Sequence, residues 1–181
     1  MKVILDMNKI ITTVLLIAVL LISSTSKATA VTTVSSTKLV ALHQVDTRVI
    51  ALKNVLESYN SPLSPYAQEY VDTADKYGMD WRLLPAIAGL ESTFGLHQPA
   101  GSNNSYGWGG GRIYFQSVEE GIDTVLSALK NKYALRGATT VETIAPIYSE
   151  SPTWAPRINM FMNKIQAEYE RLGMQNLSLT I

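Results

Sequence analysis

The stretch Trp81–Gly95, reading WRLLPAIAGLESTFG, constrains the fold of this chain more than any other segment. Leu84, Ile87 and Phe94 recur at a spacing that places apolar side chains on one face of a helix, and Glu91 falls on that same face. A Glu on a buried face must pair with a cation or be held in its neutral form. A neutral carboxylic acid can act as a general acid, so Glu91 is the first candidate for chemistry. The alternative is a helix that ends near Gly95, with Glu91 pointing into solvent.

The remainder of the chain also shows helical spacing, and no strand-like alternation of useful length or internal repeat interrupts it. We therefore predict an all-α fold of about six helices and one long loop. The apolar positions between residues 37 and 59 follow a heptad-like seam, which predicts a separate amphipathic helix ahead of the main domain. The expected organisation is a linker and this helix over 31–60, the main domain over 61–173 and a loose tail over 174–181.

The first thirty residues have the pattern of a secretory signal peptide. Lys2 and Lys9 precede the apolar run Ile10–Ile22, and the small-residue site Ala28-Thr29-Ala30 follows. The run has 13 residues, fewer than the ~20 that a membrane-spanning helix needs. We expect export to the cell envelope or beyond, with cleavage after Ala30. The alternative is an uncleaved signal anchor that holds the chain in a membrane through residues 10–22.

Charge and cysteine content exclude several classes of function. Of the 15 basic and 15 acidic residues, 12 and 14 remain once residues 1–30 are removed, and no Lys/Arg cluster occurs. This is not the footprint of a nucleic-acid-binding protein. The chain has no cysteine, so it holds neither a disulfide nor a thiolate metal site. His97 has no second candidate ligand beside it, and we predict no metal and no cofactor.

A long segment rich in Gly, Asn and aromatic residues follows the central helix, over 95–111. Loops of this length in a small domain are usually functional. Beyond it, Ser117 is placed to cap a helix whose first turn contains Glu119 and Glu120. These two carboxylates are therefore explained as charges at a helix start, and we prefer that explanation to a catalytic role.

Several short motifs resemble, in their order and spacing, the lysozyme-like superfamily. They are Glu91-Ser92, Asn104-x-Tyr106-Gly107-Trp108, Phe115-Gln116-Ser117, Ile144-Ala145-Pro146-Ile147-Tyr148 and Trp154-Ala155. The closest likeness is to the soluble lytic transglycosylase-type domain, with similarity also to bacterial endo-β-N-acetylglucosaminidases. It covers about 65–165. The family usually has Gly-Leu-Met-Gln in the loop and Tyr-Asn-Ala-Gly after the later tyrosine, whereas this chain has Tyr-Gly-Trp-Gly and Tyr-Ser-Glu.

The resemblance implies a lysozyme-like helical domain that cleaves peptidoglycan glycan strands. Glu91 would be the catalytic acid, and Tyr148 would hydrogen-bond near the acid or the sugar. Ser92 would support the site beside Glu91, and Ser92 and Asn104 would bind substrate there. Tyr106 and Trp108 are the best candidates to stack on sugar rings. Tyr114 is a further candidate, whereas Phe115 and Trp154 are better explained as core residues.

Three functions remain open at this stage. A lytic transglycosylase needs a single carboxylate, because the substrate's N-acetyl group and its own 6-hydroxyl supply the remaining chemistry and give a 1,6-anhydro product. A muramidase or glucosaminidase would pair Glu91 with Glu119, Glu120 or Glu150 and yield a reducing end. A non-catalytic wall-binding module would keep the fold without the activity. We favour the transglycosylase, since no second carboxylate has a claim equal to that of Glu91.

Overall fold

The computed structural model describes residues 46–178, which fold into six α-helices without a β-strand. The helices are α1 (Thr47–Ser58), α2 (Ala67–Tyr77), α3 (Leu83–Ser92), α4 (Val118–Ala128), α5 (Val141–Tyr148) and α6 (Trp154–Ser178). A 3-10 turn at Ser64–Tyr66 precedes α2, and a π-helical segment at Leu129–Tyr133 with a 3-10 turn at Ala134–Arg136 follows α4. The all-α prediction is confirmed for this part of the chain. The predicted signal sequence over 1–30, the first half of the 31–60 region (31–45) and the last three residues lie outside the described residues.

Helix α3 is the centre of the domain. Every residue from Leu83 to Gly89 is buried, so the helix is enclosed on all sides instead of presenting one apolar face. The long helix α6 packs against α3, α1 and α5, while α2 packs on α4. A helix that is apolar all round belongs in a protein interior. Only the last turn of α3 reaches the surface, and Glu91 lies there.

Helix α3 ends earlier than its sequence pattern suggests. Thr93 and Phe94 both adopt left-handed backbone conformations, with φ of 51° and 54°, so Phe94 is not on the helical face that we predicted. The chain folds back instead, and the fully buried Phe94 ring packs 4.7 Å from Tyr59 and 5.3 Å from Phe161 between ring centroids. Gly89 leaves room for this return, because a Cβ there would lie 2.7 Å from the Phe94 ring.

The prediction of a separate amphipathic helix is wrong. Helix α1 starts at Thr47, since the Asp46 carboxylate accepts a hydrogen bond from the Arg48 backbone N–H at its N-terminus. Leu52 and Leu56 are fully buried in the same core as α3. The helix therefore belongs to the main domain, because α6 packs on it and its buried residues are part of the common core.

Arg48 links the start of α1 to the end of α2. Its guanidinium lies 2.7 Å from the Asp46 carboxylate and 2.8 Å from that of Asp75. The hydrogen bonds from Arg48 lower the pKa of both aspartates from their usual value. These two salt bridges hold the first turn of α1 against the end of α2.

Local end signals in the sequence are accurate in several places. Ser117 caps α4 as predicted, Thr140 caps α5, and Gly78 ends α2 in the left-handed conformation. Helix α6 continues to Ser178, five residues into the segment predicted as a loose tail over 174–181. None of the helices in residues 46–178 is both long and apolar enough to cross a membrane.

Candidate functional site

Ser92 joins the end of α3 to the long loop. Its Oγ accepts a hydrogen bond from the Gly95 backbone N–H at 2.8 Å and donates to the Ser105 carbonyl at 2.7 Å. The side chain is 3% exposed. The hydroxyl thus makes hydrogen bonds within the protein that join α3 to the loop, which agrees with the supporting role expected for Ser92, while its predicted contact with substrate stays a prediction.

Asn104 organises the loop in a similar way. Its side-chain amide donates to the carbonyls of Trp108 and Ile113, each at 2.9 Å, and its Oδ1 accepts from the Trp108 N–H at 2.9 Å. The residue is 1% exposed. Both amide N–H donors and one lone pair of Oδ1 hold the loop together, so Asn104 has a scaffolding role, and its predicted contact with substrate stays a prediction.

Tyr106 cannot stack on a ligand, because its ring is fully buried. Its hydroxyl shares a 2.8 Å hydrogen bond with that of Tyr70, and burial raises the pKa of both phenols. Its backbone carbonyl accepts a 2.7 Å hydrogen bond from the Tyr148 hydroxyl. Burial and the nearby Glu91 charge raise the pKa of Tyr148 well above its usual value, so this phenol remains a donor at neutral pH.

Glu91 is solvent-exposed on the last turn of α3. Its Oε1 accepts a 2.9 Å hydrogen bond from the indole N–H of Trp154. The expected position on a buried face is therefore wrong, and the stated alternative of an exposed Glu91 near the helix end is what the structure has: the enclosed part of α3 stops at Gly89, and the partner of the carboxylate is an indole. The other oxygen, Oε2, faces Gly107, where an added Cβ would come within 3.1 Å of it.

Two neighbouring pockets meet at this point, and they share Gly107, Gly110 and Tyr148. The acidic pocket, of about 420 Å³, is lined by Glu91, Ser92, His97, Gln98, Pro99, Asn104, Gly107, Gly110, Gly111, Tyr148 and Ser149. The aromatic pocket, of about 380 Å³, is lined by Gly107, Trp108, Gly109, Gly110, Tyr133, Ile147 and Tyr148. Together they provide a carboxylate next to flat apolar surface.

Aromatic rings form the wall of the aromatic pocket. The half-buried Trp108 ring lies 6.2 Å from Tyr133 and 5.9 Å from Tyr148 between centroids. Trp108 thus lines the pocket with a half-buried ring, and its predicted stacking on a sugar stays a prediction. Tyr114 is 62% exposed but lines neither pocket.

The other carboxylates considered from the sequence lie elsewhere. Glu119 and Glu120 are exposed in the first turn of α4, and Glu150 is exposed after α5. Among residues 46–178, Glu91 is the single acidic residue that lines either of the two pockets. In the same range, no group of three or more His, Asp or Glu side chains is arranged to hold a metal ion.

The sequence analysis missed the roles of two residues of the site, Trp154 and Tyr133. Phe115 and Trp154 are core residues as predicted, at 6% and 2% exposure, but Trp154 also donates to Glu91. Tyr133 lies on the π-helical segment after α4 and contributes a ring to the aromatic pocket. An indole N–H that needs a partner when buried was the available signal for Trp154.

Comparison with known proteins does not place the chain. No protein-family model matches the sequence, and no curated protein matches it significantly.

Proposed function

We propose that this chain is an exported peptidoglycan lytic transglycosylase with a lysozyme-like domain, which cleaves the bond between N-acetylmuramic acid and N-acetylglucosamine. The observation that carries the proposal is an exposed carboxylate, Glu91, at the junction of a polar pocket and an aromatic one. The sequence resemblance independently assigns the acid to the same residue. No cofactor is needed for this chemistry.

The arrangement suits acid-assisted cleavage of a glycosidic bond. Protonated Glu91 would give its proton to the leaving oxygen as the bond to C1 breaks, with the electron pair remaining on that oxygen. The acetamido carbonyl of the sugar would stabilise the positive charge that develops at C1. The sugar's own 6-hydroxyl would then attack C1 and return its proton to Glu91. Atoms and charge balance with one protein carboxylate.

The absence of a second carboxylate from the two described pockets favours this route over two-carboxylate hydrolysis. The Trp108 and Tyr133 rings offer apolar faces that match the C–H face of a pyranose. The polar edge of the acidic pocket, with His97 and Gln98, offers hydrogen-bonding groups for acetamido and hydroxyl substituents.

The test is digestion of purified peptidoglycan by the full chain, by Glu91→Gln and by Glu119→Gln, with products identified by mass spectrometry. Glu119→Gln is the matched control, since this Glu is exposed and lines neither pocket. The parent and the control should release fragments with 1,6-anhydro ends, and Glu91→Gln should lose at least about 100-fold in rate.

The other outcomes each select a different function. Fragments with ordinary reducing ends would identify a hydrolase. If all three proteins are inert but sediment with peptidoglycan, the chain is a wall-binding module. Equal cleavage by Glu91→Gln and the parent would show that Glu91 is not the catalytic acid.

A further inference from the structure

The hydrogen bond between Trp154 and Glu91 distinguishes the two oxygens of the carboxyl group. An indole nitrogen is only a donor, so the oxygen that faces it must offer a lone pair. Trp154 Nε1 lies 2.9 Å from Oε1, and Oε2 is the oxygen at the Gly107 edge of the acidic pocket. The carbonyl oxygen of a carboxylic acid is a stronger acceptor than its hydroxyl oxygen, so a proton on Glu91 is favoured on Oε2, where it leaves Oε1 as the carbonyl acceptor for the indole.

We infer that Trp154 is a positioning residue, which holds Oε1 of Glu91 as an acceptor and so directs the transferable proton on Oε2 into the pocket. This inference rests on the proposed function, since it assigns a role within the proposed reaction. It concerns a residue that does not line either pocket itself.

The indole is well held for this role. Trp154 is 2% exposed and is the first residue of α6. Its ring stacks on Tyr148 with centroids 5.0 Å apart and planes 28° from parallel. Tyr148 is anchored in turn by its 2.7 Å hydrogen bond to the Tyr106 carbonyl. A side chain packed in this way cannot turn its N–H away from Glu91 without disturbing Tyr148.

The hydrogen bond also strengthens as the reaction proceeds. In the first step the Oε2–H bond breaks, the glycosidic oxygen takes the proton, and Glu91 becomes a carboxylate. A donor binds a carboxylate more strongly than it binds a neutral carboxylic acid. Trp154 therefore stabilises the state that forms during bond cleavage more than the state before it, which is the condition for an increase in kcat.

Trp154→Phe tests the inference, because phenylalanine keeps an aromatic ring against Tyr148 but removes the N–H. Trp81→Phe is the matched control, since the half-buried Trp81 packs against Tyr169 away from both pockets. Initial rates of glycan release are measured for the full chain and divided by the folded fraction from circular dichroism. We expect kcat of Trp154→Phe to fall about 10- to 100-fold with KM changed less than about twofold.

The control should retain the parent's kcat. If Trp154→Phe also retains it while Glu91→Gln is inactive, the positioning role is refuted and the proposed function stands. If Glu91→Gln is active, the proposed function itself fails.

A second readout does not depend on activity. The chain has three tryptophans, and each gives one indole N–H signal in a proton–nitrogen correlation spectrum. Trp154→Phe identifies the Trp154 signal by its disappearance. Glu91→Ala should move that signal towards the position of a free indole, because the acceptor is lost, and should leave the Trp81 signal in place. An unmoved Trp154 signal would contradict the hydrogen bond on which the inference depends.

Discussion

Replacing Ser92 with alanine should destabilise the domain strongly, although the change removes a single oxygen atom. The Ser92 hydroxyl accepts from the Gly95 N–H at 2.8 Å and donates to the Ser105 carbonyl at 2.7 Å, and Ser92 is 3% exposed. A buried donor or acceptor left without a partner costs about 1–3 kcal/mol. Two groups lose their partner, and a carbonyl tolerates this better than an N–H. We expect a loss of about 2–4 kcal/mol in the free energy of unfolding.

Denaturant titration of the full chain, followed by circular dichroism, measures this loss. Ser58→Ala is the matched control. The Ser58 hydroxyl also donates to a backbone carbonyl, that of Val55 at 2.7 Å, but Ser58 is exposed in the last turn of α1. The control should change stability by less than about 0.5 kcal/mol. The reasoning is refuted if Ser92→Ala costs no more than Ser58→Ala. Normal stability combined with impaired glycan cleavage would instead restore the direct ligand contact that the sequence suggested for Ser92.

Two further predictions concern the loop and the entry to the domain. Gly107→Ala should impair glycan cleavage more than Gly101→Ala. Both glycines have positive φ, at 63° and 71°, but only an alanine at position 107 would place a Cβ near the Glu91 carboxylate. Equal cleavage rates for two variants of similar stability would contradict this prediction. Arg48→Gln should reduce the loss of stability that the domain shows below about pH 4. The two aspartates bound to Arg48 have a lowered pKa in the folded state, so their stabilisation is present above the unfolded pKa and is lost as pH falls through the folded one. Denaturant titrations at neutral and acidic pH measure how much stability each protein loses on acidification. An equal loss in the parent and in Arg48→Gln would show that the Arg48 salt bridges do not cause it.

The helices were predictable because their end signals are local. A Ser or Thr cap followed by acids, as at Ser117, or a glycine after a helical run, as at Gly78, acts through neighbouring backbone groups that the sequence shows directly. The early end of α3 was not predictable in this way. Phe94 continues the helical spacing, and only packing against Tyr59 and Phe161 makes its left-handed backbone favourable.

The structure places the predicted residues Glu91, Trp108 and Tyr148 at the two pockets, but the sequence did not show how the side chains around them are used. Serine and asparagine side chains serve a ligand and a loop backbone equally well, so the sequence could not reveal that Ser92 and Asn104 are occupied internally. The contact of Trp154 with Glu91 joins residues 63 positions apart. Such a contact depends on how α6 packs against α3, which periodicity within either helix does not encode.

Cleavage of peptidoglycan in water enriched in the heavy oxygen isotope tests the proposed reaction most directly. In a transglycosylase the oxygen that bonds to C1 comes from the sugar's own 6-hydroxyl, so the fragments should carry 1,6-anhydro ends without heavy oxygen, and Glu91→Gln should release none. Heavy oxygen at C1 of the new ends would show that water is the nucleophile and would contradict the transglycosylase. Release of no fragments by the parent chain would contradict the catalytic role altogether.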